Sequence, residues 1–292
     1  MPVKTALVSS DYVRNVPLPQ HGKTYTVIPH GHAITETHKA IFSEGFTLAS
    51  EQYKATADGQ IVQGVYHINY DGIDDPDMGI MFAWSNSYNK TMRFKCAVGA
   101  HVFICMNGVV RGDMSSYVRI HKGLALAEAT SHINEQISKA KEYFETLRED
   151  KDVLKNVLLT SSDKGTILGQ LYAEHEILTL TQVGIVKREL DKPSHHYNCD
   201  PDSAWAMYNH ITLSLKESHP ASYLDDHESV HQFFIDRYGN LTTPVKTHYD
   251  QLEFTGDTVA EHAFNTDEEL KEQFLKQEFE LVPASSYGVT FM

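Results

Sequence analysis

Residues 84–122 read WSNSYNKTMRFKCAVGAHVFICMNGVVRGDMSSYVRIHK. From Met92 to Val98 apolar and polar side chains alternate, which is typical of a half-buried strand and sends Arg93 and Lys95 to one face. The apolar run His101–Met106 predicts another strand. After residue 123 the apolar spacing changes to that of a helix. The stretch therefore separates a strand-rich half from a helical half.

The first half is rich in β-branched and aromatic residues, which favour strands. Ala57–Gln60 contains Asp-Gly and predicts a hairpin turn. One helix, Ala33–Ser43, interrupts the strands, because its apolar residues share a face and Gly45 follows. The predicted strands are Tyr25–Ile28, Thr47–Thr56, Ile61–Tyr70, Gly79–Ser85, Met92–Val98 and His101–Met106.

The second half is predicted to be mostly helical. An apolar stripe from Leu124 to Leu147 predicts one long amphipathic helix, and Asp202 is predicted to cap a later one. The fold class is thus α+β, an antiparallel β-meander with a packed helix followed by a helical half. We expect three regions: 1–122 with the sheet and the basic segment, 123–248 with the helices, and an acidic segment, 249–292. The other predicted helices are Val153–Leu159, Gly165–Leu178, Leu180–Glu189, Asp202–Lys216 and His227–Tyr238.

Residues 84–122 also hold the concentrated positive charge of an acidic protein. The chain has a formal net charge of −14, whereas this stretch has six basic residues and one acid, Asp113. Clustered Lys and Arg side chains bind phosphates without reading sequence. The alternative is that these side chains only solvate the outer face of strands. The candidate phosphate contacts are Lys90, Arg93, Lys95, Arg111, Arg119 and Lys122.

Aromatic side chains near these residues are candidates for stacking on bases. Tyr88 lies in a polar turn and is expected to be exposed, and Tyr117 is the second candidate. Trp84 ends the apolar run Met78–Ala83 and is expected to lie in the core instead.

Composition indicates a folded protein of the cytoplasm. The chain has 292 residues, 41% hydrophobic and 22% charged, which is the range of globular proteins. The apolar run Cys96–Val110 is too short to cross a bilayer, and the first five residues lack a secretory signal. Three widely spaced cysteines do not form a disulfide framework.

His227-Glu-Ser-Val-His231 matches the H-E-x-x-H pattern, which on a helix directs two imidazoles to one face for zinc. Asp225 and Asp226 precede it, and no third-ligand pattern follows. The alternative is a helix whose histidines pack or pair. The chain has no phosphate-binding G-x-x-x-x-G-K-[ST], no strand followed by G-x-G-x-x-G and no G-x-S-x-G, so no cofactor is expected and an enzyme is not indicated.

Several of these motifs resemble a known family. Trp84–Gly99, Val102–Gly108 and Arg119–Gly123 resemble the phage- and plasmid-associated family called domain of unknown function 932, and the similarity covers roughly residues 40–235. The order of elements is also similar to that of single-strand annealing proteins of the RecT and Redβ kind. These resemblances imply a phage or mobile-element protein that binds single-stranded DNA as a homo-oligomer, in the host cytoplasm.

Three function classes remain open. The first is a nucleic-acid-binding protein with strand-annealing activity, whose affinity falls steeply with salt. The second is a non-enzymatic interaction or host-takeover factor, whose acidic surface binds a basic host protein. The third is a zinc-dependent hydrolase, which requires stoichiometric zinc that is lost in His231→Ala.

Overall fold

A computed structural model describes residues 5–19, 26–72, 75–104, 107–110, 115–117 and 125–239, and confirms the α+β fold. The strands are β1 (Thr5–Val8), β2 (Thr47–Thr56), β3 (Ile61–Asn69), β4 (Met78–Ser87), β5 (Lys95–Val102), β6 (Asn107–Val109) and β7 (Ser115–Tyr117). The helices are α1 (Ser10–Arg14), α2 (His30–Ser43), α3 (Ala125–Ser138), α4 (Ala140–Lys155), α5 (Ser161–Gly169), α6 (Leu180–Asp191), α7 (Ala204–Ser214) and α8 (Tyr223–Tyr238). A π-helical turn spans Gln170–Glu174, and a 3₁₀ turn spans Leu215–Glu217.

The described strands form one antiparallel sheet in the order β1-β2-β3-β4-β5-β6. β7 is the exception to this order, because it pairs with the same edge of β5 as β6 does. β6 pairs with the end of β5 at Ala100–Val102, and β7 pairs with its start at Lys95–Ala97. The predicted meander is confirmed.

Two strand predictions were wrong. Residues 26–28 are not in a strand, and the first strand is instead β1, whose four residues are too few to show alternation. The apolar run from His101 does not begin a new strand, because β5 continues through Gly99 to Val102. A Cβ at residue 99 would lie 2.2 Å from the carbonyl oxygen of Val109, so this glycine allows close approach of β6 rather than a turn.

The central strands of the sheet are buried on both faces. The main face carries Tyr66, Phe82 and Val98 and packs in the large core with the helices. The second face carries Met81 and Ala97, which pack against the start of α8. All ten residues of β4 are buried, because this central strand is covered on both sides. Such double burial explains its nearly continuous apolar sequence.

The alternation predicted around Lys95 is confirmed. Phe94, Cys96 and Val98 point into the core of the main face. Ala97 points to the second face, so Lys95 lies on that face also.

The helical half differs from the sequence prediction mainly at helix ends. The predicted long helix is divided into α3 and α4 at Lys139. Ser138 Oγ donates to the carbonyl of Glu135 at 2.9 Å, a bond that is known to bend helices. α4 extends to Lys155 and includes the start of the predicted helix Val153–Leu159. The predicted helix Gly165–Leu178 is α5 followed by the π-helical turn.

Two other helix starts also shifted. Ser203, and not Asp202, caps α7, because its Oγ accepts from the Ala206 amide at 3.1 Å. Asp202 is instead paired with Lys164. α8 begins at Tyr223, four residues before the predicted start.

One core joins the sheet to the helices. The large cluster of buried apolar residues begins at Val13 and ends at Tyr238, and it includes residues of both the sheet and the helices. A buried ion pair adds to this connection, since Lys151 of α4 lies 2.6 Å from Asp75, which precedes β4. In the part of the chain that the structure describes, none of the helices has the length and apolar character needed to cross a membrane.

Candidate nucleic-acid interface

The turn between β4 and β5 presents two of the candidate basic residues. Lys90 and Arg93 are both exposed. Lys90 has a φ of 65°, which is uncommon for a residue with a side chain. The side chain of Asn89 organises the turn, because its Oδ1 accepts from the Thr91 hydroxyl at 2.6 Å and from the Thr91 amide at 3.2 Å. The two cations therefore project from a structured turn.

Lys95 belongs to a different environment, a row of polar residues that crosses the second face of the sheet. We call it the polar row. Successive strands place its members directly opposite one another, so that they are cross-strand neighbours. In order across the sheet they are Lys54, Gln63, Ser85, Lys95 and Tyr117.

The segment Lys216–Asp225 covers the polar row, and we call it the cover segment. It includes most of the 3₁₀ turn and the first residues of α8. Three members of the row donate hydrogen bonds to it. Lys54 Nζ donates to the carbonyls of Lys216 and Ser218, each at 2.8 Å, Ser85 Oγ donates to the carbonyl of Pro220 at 2.8 Å, and Lys95 Nζ donates to Asp225 Oδ1 at 2.6 Å.

The pair between Lys95 and Asp225 changes how the basic segment is interpreted. The side chain of Lys95 is 24% exposed, and that of Asp225 is 53% exposed. Asp225 offsets the charge of Lys95, so this lysine is a weaker candidate for phosphate contact than its place in the basic segment indicates. A partly exposed pair of this kind contributes little to stability.

The expectation that Tyr88 is exposed was wrong. Its ring stacks on that of His30, with centroids 3.8 Å apart and planes at 8°. Its hydroxyl accepts from the His30 backbone amide at 2.8 Å. The residue is 3% exposed, because α2 packs over the turn that the local sequence marks as polar. A base cannot stack on Tyr88 unless His30 moves away.

Trp84 lies in the core, as expected. It is fully buried, and its indole Nε1 donates to the Tyr66 hydroxyl at 3.0 Å. Its ring lies over Gly64 of β3, where a Cβ would come within 2.7 Å of the ring.

The structure describes little of the remaining candidate residues. The backbone of Tyr117 lies in β7 opposite Lys95, while its side chain falls outside the described part. Arg111, Arg119 and Lys122 lie outside the described residues, as does the acidic segment 249–292. Their roles stay predictions.

The two histidines of the H-E-x-x-H pattern have separate surroundings. Both are 1% exposed on α8. His231 Nε2 lies 3.0 Å from Asp150 of α4, whereas the His227 ring packs on Tyr223 and lies against Gly108. Burial lowers the pKa of His227 to about 3. Among the described residues there is no group of three His, Cys, Asp or Glu side chains that could hold a metal ion.

A family model described as a domain of unknown function, DUF932, matches residues 17–235. This span is well over half of the chain. The chain belongs to the DUF932 family. The resemblance expected over residues 40–235 is therefore confirmed and extended toward the amino terminus. No curated protein and no solved structure matches the chain.

The DUF932 match includes the β4–β5 turn, the polar row and the cover segment. The sequence did not indicate that the cover segment lies over the polar row and accepts hydrogen bonds from it. Asp225 was visible at the start of α8, but its partner is not local. Lys95 and Asp225 are 130 residues apart, and only the register of the sheet and the placement of α8 bring them together.

Proposed function

We propose that this DUF932 protein binds single-stranded nucleic acid, with Lys90 and Arg93 contacting phosphates. One observation carries the proposal: both cations are exposed on the β4–β5 turn, inside a stretch, residues 78–112, that contains no Asp or Glu. Local clustering of positive charge matters more for phosphate binding than net charge does. Arg111 lies near the end of this stretch, and Arg119 and Lys122 follow it, so they are proposed as further contacts.

An acidic side chain close to the basic turn competes with phosphate groups for the positive charges there. Asp225 pairs with Lys95 at the border of the basic turn, and the chain as a whole is strongly acidic. Long-range repulsion slows association with a polyanion, and salt screens this repulsion. The contacts of Lys90 and Arg93 with phosphates have the opposite salt dependence, because added salt opposes the release of counterions. We expect measurable affinity at low ionic strength that decreases steeply toward physiological salt.

We also propose that the protein anneals strands as a homo-oligomer and that it has a phage or mobile-element origin. Annealing is supported by the similar order of elements in single-strand annealing proteins, and the origin by the resemblance to the phage- and plasmid-associated family. A cytoplasmic location belongs with these proposals, because the three cysteines of the chain are widely spaced and make a poor disulfide framework.

The test is fluorescence anisotropy of a labelled single-stranded oligonucleotide at a series of salt concentrations. Arg93→Glu is compared with Lys187→Glu, which makes the same change of charge at an exposed site on α6. Arg93→Glu should weaken binding and lower the salt slope by about 0.7 for each lost phosphate contact. Asp225→Asn should strengthen binding, because it removes the competing carboxylate.

Two results would contradict the proposal. The first is an absence of binding at low salt, which favours the alternative of an interaction factor that binds a basic host protein. The second is an equal loss of affinity in Arg93→Glu and Lys187→Glu, which would mean that net charge and not the turn governs binding.

A further inference from the structure

A cavity of about 530 Å³ lies between the second face of the sheet and the cover segment. It is formed by β1, β2 and β3 on one side, and by the 3₁₀ turn and the first residue of α8 on the other. Its size is in the range of small-molecule sites. The lining residues that matter to its chemistry are Lys54, Gln63, Val65, His67, Lys216 and Tyr223.

Three buried polar side chains in this cavity have unused hydrogen-bonding capacity. Gln63 is 3% exposed and Tyr223 is 8% exposed, and among the described residues neither side chain makes a hydrogen bond. His67 is 3% exposed and uses Nδ1 with Ser50 Oγ at 2.8 Å, which leaves Nε2 for another partner. These three side chains line the cavity, so their unused donors and acceptors are available to a ligand there.

The charges at the cavity favour an anion. Lys54 Nζ uses two of its three protons on the cover segment and retains one. Lys216 supplies a second positive charge, and Glu217 is the acid among the lining residues. Burial, together with the charge of Lys216, lowers the pKa of His67 to about 4. At neutral pH the histidine is therefore uncharged, and the lining carries two cations against one anion.

The apolar part of the lining indicates that the ligand is more than an inorganic ion. Val65, Ala6 and Leu7 border the cavity beside the polar groups. Leu7 is 74% exposed, so it stands at the open side. A ligand with a charged head and an organic body matches this division into polar and apolar walls.

We propose that the cavity binds a small phosphate monoester of about nucleotide size. The phosphate lies between Lys54 and Lys216, and the uncharged groups of Gln63, His67 and Tyr223 bind polar atoms of the organic part. Two lysines suit the dianionic charge of a monoester better than the single charge of a carboxylate. The site is separate from the basic turn and does not depend on the proposed binding of a strand.

The test is isothermal titration calorimetry of the full-length protein with the four nucleoside monophosphates, the four nucleosides and inorganic phosphate. At least one monophosphate should bind, and it should bind more tightly than its nucleoside and than inorganic phosphate. Nucleosides that bind as tightly as monophosphates, or titrations without heat for every monophosphate, would overturn the proposal.

Variants then locate the site. Lys216→Met should lower the affinity for the monophosphate roughly tenfold or more, as expected for the loss of a charged contact. Tyr223→Phe should lower this affinity roughly fivefold. Tyr223→Phe removes a hydroxyl that has no partner among the described residues, so the midpoint of unfolding without ligand should not fall. Lys187→Met, with the same loss of charge at an exposed site on α6, should bind like the parent protein. Unchanged affinity in both cavity variants would place the ligand elsewhere.

Discussion

Replacing Lys151 by methionine should destabilise the protein strongly, because it removes the partner of a buried carboxylate. The Lys151 side chain is 4% exposed and that of Asp75 is 2% exposed, with Nζ and Oδ2 2.6 Å apart. Asp77 keeps a second partner, since its Oδ2 lies 2.5 Å from Lys155 Nζ. In Lys151→Met the uncompensated charge is therefore mainly that of Asp75, which among the described residues retains the backbone amides of Asp77 and Met78 as its donors.

The magnitude follows from the burial of both partners. Breaking a fully buried pair on one side costs about 3–5 kcal/mol. At roughly 2–4 °C of melting temperature per kcal/mol for a protein of this size, even the lower figure corresponds to about 6–12 °C. Thermal unfolding followed by circular dichroism, with urea titration for the free energy, measures both quantities.

Two further variants determine whether the reasoning is correct. Asp75→Asn with Lys151→Met should recover much of the loss, because an amide oxygen still accepts from the two backbone amides and no charge is left unpaired. Lys139→Met removes an exposed pair with Glu135 and should leave the melting temperature nearly unchanged. If Lys151→Met behaved like Lys139→Met, or the double variant were no more stable than the single one, the pair of Lys151 and Asp75 would not be what connects α4 to the sheet.

Two other predictions concern stability. Gly64→Ala should lower the free energy of unfolding by about 1–3 kcal/mol, because its Cβ would lie 2.7 Å from the Trp84 ring, and a melting temperature equal to that of the parent would contradict this packing. Acid should also destabilise the protein, since burial lowers the pKa of His30, His101 and His227 to about 3. Below the unfolded value of about 6.5 the unfolded chain binds protons that the folded protein does not, so stability is complete above that pH and is lost as the pH falls. Each such histidine costs about 2 kcal/mol at pH 5, and urea titrations at pH 7.5 and pH 5 should show the difference, reduced in His227→Asn.

Much of the fold could be predicted because its elements have local periodicity. The alternation around Phe94 and Lys95 correctly assigned their opposite faces, and the stripe that includes Ile133 and Phe144 correctly identified a buried helical surface. Helix and strand ends were less predictable, because they depend on particular hydrogen bonds. The division at Lys139 accompanies a hydroxyl bond from Ser138, and the continuation of β5 through Gly99 depends on the approach of β6.

The candidate sites could be predicted only in part. Sequence alone identified Lys90, Arg93 and Lys95 as a basic group, because they are neighbours in the chain. It did not show that Asp225 pairs with Lys95, and it assigned Tyr88 to the surface when His30 covers it. These errors share a cause, since each contact joins segments that are far apart in the chain.

The amino-acid sequence was sufficient for the α+β class, for most strands and helices, and for the position of the basic segment. These properties arise from residues within a few positions of each other, where side-chain spacing acts directly on the backbone. The tertiary structure decided which polar residues are covered, which charges are offset and where a cavity remains. The polar row shows why: Lys54, Gln63, Ser85 and Lys95 are adjacent only through strand register, and they meet the cover segment only because the helical half packs back onto the sheet.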